Sequence, residues 1–310
     1  MSSRSTETDG DDALLYEFFQ ENGYIASIDV LSPAEAADLQ ASYDQWAAAL
    51  KTTRPVGDER FKPHLFLPFI NDMARNDVIV AAVQAVLGTE NILLWSSDFN
   101  VKAPRSGGYY SIHQDSTYTG LEPANLGVTV WLAMSNATEE NGCMTFIENS
   151  HKFGQLPHLE GVTNECCGAA GEDTDNNMLS RNQYVDVDKY DAGKGRRIIV
   201  GLRAGQASLH HFHLLHQSGP NNSSQARVGL ALRYIAASVK QTGRVREAVT
   251  LISGQTEHDE FDLEPSLPIG RRASDLEITR GKAAHRSSMA REKGNYFDSS
   301  SVKEYDEKYT

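Results

Sequence analysis

Leu214-Leu215-His216-Gln217-Ser218-Gly219-Pro220-Asn221-Asn222 carries an apolar run onto a histidine and then directly into a turn. Gly, Pro and two Asn in succession are turn chemistry, and from Arg227 to Ala236 the apolar character resumes. A short apolar run, a turn and a second apolar run read as strand, turn, strand. The same texture extends on both sides. Asn91 to Val101, Gly127 to Met134, Cys143 to Ile147, Arg197 to Leu202 and Ala207 to Leu215 are short runs rich in Val, Ile, Leu and aromatics. Gly107-Gly108, Asn141-Gly142 and Gly205 punctuate them. Asn141-Gly142 reads as a hairpin turn, because both residues tolerate positive φ.

Before Asn91 the pattern is helical, from Ala13 to Leu50 and again from Asp77 to Leu87, stopping at Gly88. Ser32-Pro33-Ala34-Glu35 has the form of a capping box with proline in the first turn. Leu39, Tyr43, Trp46 and Leu50 then recur at helical spacing and predict one buried stripe. Many short strands behind a helical layer point to a mainly β fold with helices: a distorted double-stranded β-helix, or jelly roll, of cupin type. Residues 1–12 are polar and are expected to be disordered, with a single domain over 13–280. A polar insertion is expected over 161–194, and 281–310 reads as a loosely attached polar tail.

The chain has 310 residues, 40% of them hydrophobic, and a formal net charge of -13. No run approaches the roughly 18 apolar residues that a membrane span needs, so no membrane partner is expected. The acidic balance argues against nucleic acid, which needs clustered Lys and Arg. Three cysteines, Cys143, Cys166 and Cys167, are too few and odd in number for a disulfide framework. A cytoplasmic location, a small-molecule substrate and a monomer or homodimer are the expectations.

His113-Gln114-Asp115 and His216 lie a hundred residues apart. A chain of this composition holds about one His-x-Asp tripeptide by chance, so that motif alone is weak. In a strand, however, His113 and Asp115 would share a face, and His216 sits at a strand end, where a sandwich can present it. Two imidazoles and one carboxylate leave coordination positions open, as non-haem Fe(II) oxygenases require. A structural zinc site would close all four positions, usually with cysteine.

These residues resemble the phytanoyl-CoA dioxygenase family of Fe(II)/2-oxoglutarate-dependent oxygenases. The likeness runs from about Phe18 to Ala236 through Phe19-Gln20-Glu21-Asn22-Gly23-Tyr24, Lys102-Ala103-Pro104, His113-Gln114-Asp115, Trp131, Asn141-Gly142-Cys143-Met144, Ser150-His151, His216 and Arg227. The resemblance implies His113, Asp115 and His216 as iron ligands and as the catalytic centre. It implies Arg227 and Ser218 on the distal carboxylate of 2-oxoglutarate, Trp131 lining that pocket, and O2 as the other cosubstrate. Gly205-Gln206 and Glu148-Asn149 depart from the family pattern, both outside the metal shell. The expected reaction is oxidation, by default hydroxylation, of a small polar molecule, with release of succinate and CO2. Cyclisation or desaturation of an amino-acid-type substrate uses the same residues, as in kainoid synthases. Asp115 fills the slot that related halogenases leave for chloride.

Some residues carry weaker expectations. His211 is placed on the approach to the iron, and His210 and His213 are read as structural. Tyr118, Asp98, His64 and Asn125 are candidates to touch substrate, each with an ordinary surface role as the alternative. Trp131 could be plain core and Arg227 a surface ion pair. No Lys/Arg cluster suits the phosphates of a CoA ester. Two rivals remain open at this point: a cupin-like metal-binding protein without turnover, and a hydrolytic zinc enzyme on a similar barrel.

Overall fold

The structure is a computed structural model that describes residues 6–51, 57–160, 176–179, 182–243, 245–269 and 271–296. Cys166, Cys167 and half of the expected insertion lie outside the described residues. Among the described residues the α-helices are α1 (Thr6–Asn22), α2 (Pro33–Ala49), α3 (Pro68–Ala74), α4 (Asp77–Leu87) and α5 (Asp275–Tyr296). The strands begin with β1 (Tyr24–Asp29), β2 (Ile92–Lys102), β3 (Tyr110–His113), β4 (Leu121–Glu122), β5 (Gly127–Ala133), β6 (Met144–Ile147), β7 (Leu159–Glu160) and β8 (Gln183–Tyr184). They continue with β9 (Arg197–Val200), β10 (Gln206–His211), β11 (His216–Ser218), β12 (Arg227–Ala236), β13 (Lys240–Gln241), β14 (Ala248–Ser253) and β15 (Asp262–Leu263).

Two sheets face each other. The larger has the order β1-β10-β5-β12-β2-β14-β15 and the smaller β3-β11-β6-β9, which is the double-sheet jelly roll expected. Side chains alternate across each strand. Val128, Val130 and Leu132 of β5, with Val228, Leu230, Leu232 and Tyr234 of β12, are buried against the helices. Thr129, Trp131, Arg227 and Arg233 therefore point the other way, towards the smaller sheet. In β2 a register shift leaves Trp95 unpaired between Ser96 and Leu94. That bulge places Ser97 on the helix side and Asp98, Asn100 and Lys102 on the inner side.

The helical layer forms for the local reasons read in the sequence. Ser32 Oγ accepts from the Glu35 N–H at 3.3 Å, and Glu35 returns the bond to the Ser32 N–H at 2.8 Å. Asn76 caps α4, and Gly88 ends it in the left-handed region at φ 66°. Ile79, Val83 and Val86 on one face of α4 are fully buried.

Five expectations are corrected. The helical pattern from Ala13 to Leu50 is broken by β1, an edge strand with two successive buried residues, Tyr24 and Ile25, too few to show period two. Residues 1–12 are not wholly disordered, since α1 begins at Thr6. Asn141-Gly142 does not join paired strands: β5 and β6 belong to different sheets, and the turn crosses between them. Ala207–Leu215 is not one strand; β10 ends at His211, and a turn over Phe212–Leu215 delivers His216 to the opposite sheet. The polar C-terminal stretch forms α5 as far as Tyr296. Its Ser288 and Met289 are buried, and the His285 ring packs 4.8 Å from Phe66. A narrow contact face among many charges hides such a helix from composition.

Candidate metal centre

β11 pairs with β3, placing His216 directly opposite His113, with the two rings 4.1 Å apart. Asp115 opens a short 3-10 turn just past β3. Its Oδ1 lies 3.8 Å from His113 Nε2 and 3.9 Å from His216 Nε2. All three ligand atoms fall within 4.8 Å of one another, and all three residues are buried. Among the described residues no other group of His, Cys, Asp and Glu converges in this way.

The surroundings fix which atoms face inward. His113 Nδ1 pairs with the Ser111 carbonyl at 2.7 Å and His216 Nδ1 with the Leu214 carbonyl at 3.0 Å. A carbonyl only accepts, so each Nδ1 carries the proton and each Nε2 presents a lone pair to the centre. Burial lowers both imidazole pKa values, that of His216 well below the ordinary value, and keeps the rings neutral. Asp115 divides its oxygens. Oδ2 accepts from Thr129 Oγ1 at 2.5 Å and lies 3.4 Å from both Arg233 Nε and His210 Nε2, leaving Oδ1 for the centre. Burial opposes the Asp115 charge, but Arg233 and His210 outweigh it and hold the carboxyl well below its usual range. Neutral imidazoles and an ionised carboxylate with three converging lone pairs fit a divalent transition-metal ion.

Gln114, between the two ligands, is fully buried and bound at every position. Its amide donates to the Gly154 and His213 carbonyls at 2.8 and 2.7 Å, and accepts from the Leu156 N–H at 2.7 Å. The turn bearing Asp115 is thus tied to the turn bearing His213.

Two residues along β11 from His216, Ser218 faces the same interior, and Lys102 Nζ donates to its Oγ at 2.7 Å. Two residues along β5 from Thr129, Trp131 holds Asn100 Oδ1 at 3.2 Å. The Arg227 guanidinium lies 5.0 Å over the Trp131 ring and donates to the Gly142 carbonyl at 2.5 Å. Arg227 is 1% exposed and has no carboxylate partner among the described residues, and its Nε makes no hydrogen bond. Burial pulls its pKa down to about 10, so it remains cationic at neutral pH. A buried, unpaired guanidinium is costly unless an anion joins it.

His113, Asp115, His216, Ser218, Trp131 and Arg227 are therefore brought together. Tyr118 lines the site, its ring 6.2 Å from His113, and Asp98 joins it through Arg233. His211 and His64 do not join it. His211 pairs with Val128 on the helix side of the sheet, and its ring lies 6.1 Å from Phe19. Its neighbour His210 is the one that reaches Asp115, because alternation sends adjacent residues to opposite faces. His64 lies beyond the larger sheet, bonded to Ser97 at 2.6 Å and 3.6 Å from Glu264. Sequence reading missed Thr129, Arg233 and the part played by Lys102. Its available signal was period two: Thr129 precedes Trp131 by two residues, and Arg233 follows Arg227 by six.

A profile of the phytanoyl-CoA dioxygenase (PhyH) family matches residues 19–229. A probable alpha-ketoglutarate-dependent hypophosphite dioxygenase of Stutzerimonas stutzeri is 32% identical over 175 residues, 56% of each chain. A methylphosphonate hydroxylase of Gimesia maris is 27% identical over 231 residues, 70% of this chain and 78% of the relative. The matched stretch thus spans just over half the length of the first of these relatives. Among solved structures, the apo non-heme monooxygenase ThoJ is 25% identical, covering 90% of this chain and 96% of its own at a TM-score of 0.72. EctD of S. alaskensis, at 18% identity and TM-score 0.59, shares the fold. No helix among the described residues is long and apolar enough to cross a membrane.

Proposed function

Because the chain belongs to the phytanoyl-CoA dioxygenase family, we propose that it is an Fe(II)- and 2-oxoglutarate-dependent oxygenase that hydroxylates a small polar molecule. His113, Asp115 and His216 hold the iron. Arg227, stacked on Trp131, takes the distal carboxylate of 2-oxoglutarate, and Ser218 adds a hydroxyl on the same side.

The observation that carries this reading is the buried Arg227 with no anion of its own, on the same interior face as a three-residue metal centre. A hydrolytic zinc enzyme has no use for such a cation, whereas a dicarboxylate cosubstrate does. Iron bound there would supply the oxidising chemistry, in which O2 and 2-oxoglutarate are consumed, one oxygen atom passes to succinate with loss of CO2, and the other passes to the substrate. The chain's residues do the rest. Thr129 and Arg233 hold Asp115 with one oxygen inward, and the Ser111 and Leu214 carbonyls fix both ring tautomers. The hypophosphite dioxygenase and the methylphosphonate hydroxylase among its relatives support a compact, polar substrate over a long acyl chain.

The test is succinate formation from 2-oxoglutarate by the full chain, with added Fe(II) and oxygen and a panel of small polar substrates. Succinate that requires both iron and oxygen, with a product 16 mass units heavier than its substrate, is the expected result for one inserted oxygen atom. Metal binding without any succinate across the panel would favour the non-catalytic cupin-like rival. A product two mass units lighter would replace hydroxylation by desaturation or ring closure.

A further inference from the structure

Beside the metal centre, two guanidinium groups converge on one carboxylate. Arg60 donates through Nε and Nη2 to Asp98 Oδ2 at 3.3 and 2.9 Å, and its Nη2 also reaches Tyr110 Oη at 3.2 Å. Arg233 donates through Nη1 to Asp98 Oδ1, while its Nε faces Asp115 Oδ2 at 3.4 Å. Asp98 is buried, yet the side chains of Arg60 and Arg233 keep 19% and 20% of their surface exposed. The Phe61 ring, 5.0 Å from the Arg60 guanidinium, braces it. Arg60 Nη1 and Arg233 Nη2 bond to nothing among the described residues.

Asp98 and Asp115 both face the two guanidinium groups. Asp115, however, turns its other oxygen to the metal centre, so a divalent ion bound there would draw on its charge and leave Asp98 as the main counter-charge to both arginines. The open donors of Arg60 and Arg233 would then favour an anionic ligand. Arginine offers planar donor pairs that fit the paired oxygens of a carboxylate or phosphonate. A cationic head would be repelled here, and a neutral one would gain only the weaker hydrogen bonds of an uncharged acceptor.

Resting on the oxygenase reading above, we propose that Arg60 and Arg233 bind the anionic head of the substrate. That head is a compact oxyanion, either a carboxylate or a phosphorus oxyanion. Arg233 touches Asp115, so the head is held close to the metal ligands. The oxidised atom therefore lies near the substrate's charged end.

The experiment is anaerobic calorimetric titration of the full chain loaded with Fe(II) and saturating 2-oxoglutarate. The probes are methylphosphonate, propionate, 1-propanol and propylammonium. At least one anion should bind, with the alcohol and the ammonium weaker by about tenfold or more, the factor a lost charge-assisted bond gives. Arg60→Met should weaken that anion by about tenfold or more while leaving 2-oxoglutarate affinity unchanged, and Arg60→Lys should restore part of the loss. Absence of anion binding at millimolar concentration, equal binding of 1-propanol or propylammonium, or undiminished anion affinity in Arg60→Met would overturn the proposal. Failure of wild-type protein to bind 2-oxoglutarate would instead overturn the oxygenase reading, so the two failures are told apart.

Discussion

Lys102 and Arg227 stand directly opposite each other across β2 and β12, and both are buried. Like charges at opposed positions of an antiparallel pair repel. Lys102 turns to the Ser218 hydroxyl and to the Ser218 and Gly219 carbonyls, and Arg227 turns to the Gly142 carbonyl, a neutral acceptor that leaves the Arg227 charge in place. A dicarboxylate bound here would relieve the repulsion. Binding of 2-oxoglutarate should therefore raise the melting temperature measurably, and should do so less in Arg227→Met.

Arg227→Ala is expected to raise the KM for 2-oxoglutarate by roughly 30- to 1000-fold, since a buried charge-assisted pair is worth about 2–4 kcal/mol. Steady-state succinate formation measures it, and an unchanged KM rejects the assignment.

Gly229 faces Trp131 across the β5–β12 pair, and a Cβ there would meet the indole at 2.0 Å. Gly229→Ala must displace that ring and with it the surface on which Arg227 rests. The expected cost is about 1–3 kcal/mol of stability, together with weaker 2-oxoglutarate binding. Full cosubstrate affinity in a folded Gly229→Ala protein would show that the Trp131 face is dispensable.

Thr129→Val removes the 2.5 Å bond that orients Asp115 while keeping the shape of the side chain. Metal affinity should fall by roughly 10- to 100-fold, as is usual when the support of a ligand is lost. Competition with a chelator reads this directly.

Burial pushes the imidazole pKa of His213 down to about 4 and that of His158 down to about 3, from 6.5. Above pH 6.5 both are neutral whether the chain is folded or not. Below it the unfolded chain takes up protons that the folded one refuses, so stability falls with acid until about pH 4 for His213 and pH 3 for His158. His158 Nε2 accepts from the Gln114 N–H at 3.0 Å, a bond that protonation breaks. Urea unfolding of metal-free protein between pH 8 and pH 4.5 should show this decline, shallower in a His213→Asn, His158→Gln double variant.

The sandwich was legible because β5 and β12 are buried on both faces and stand out as long apolar runs. The three candidate ligands were singled out by their places at the ends of such runs together with the family resemblance, since a His-x-Asp tripeptide alone is a weak signal. β1 was not, since an edge strand of six residues with an exposed middle has no period to read. The exchange of His210 for His211 was hidden for a different reason. Adjacent residues differ only in which face they occupy, and the pairing of Tyr24 with His210 and of Thr129 with His210 settles that. The Arg60–Asp98–Arg233 cluster joins residues from three separate stretches, which no local pattern announces.

The four residues from Phe212 to Leu215 hinge the two sheets together. On one side Gln114 grips the His213 carbonyl, and on the other Ser150 Oγ accepts from the Leu215 N–H at 2.8 Å. Adding or deleting a single residue there would swing the 216 imidazole out of the cavity, since a slip of one reverses the facing of a strand. The length of this short span therefore sets which side chain reaches the centre.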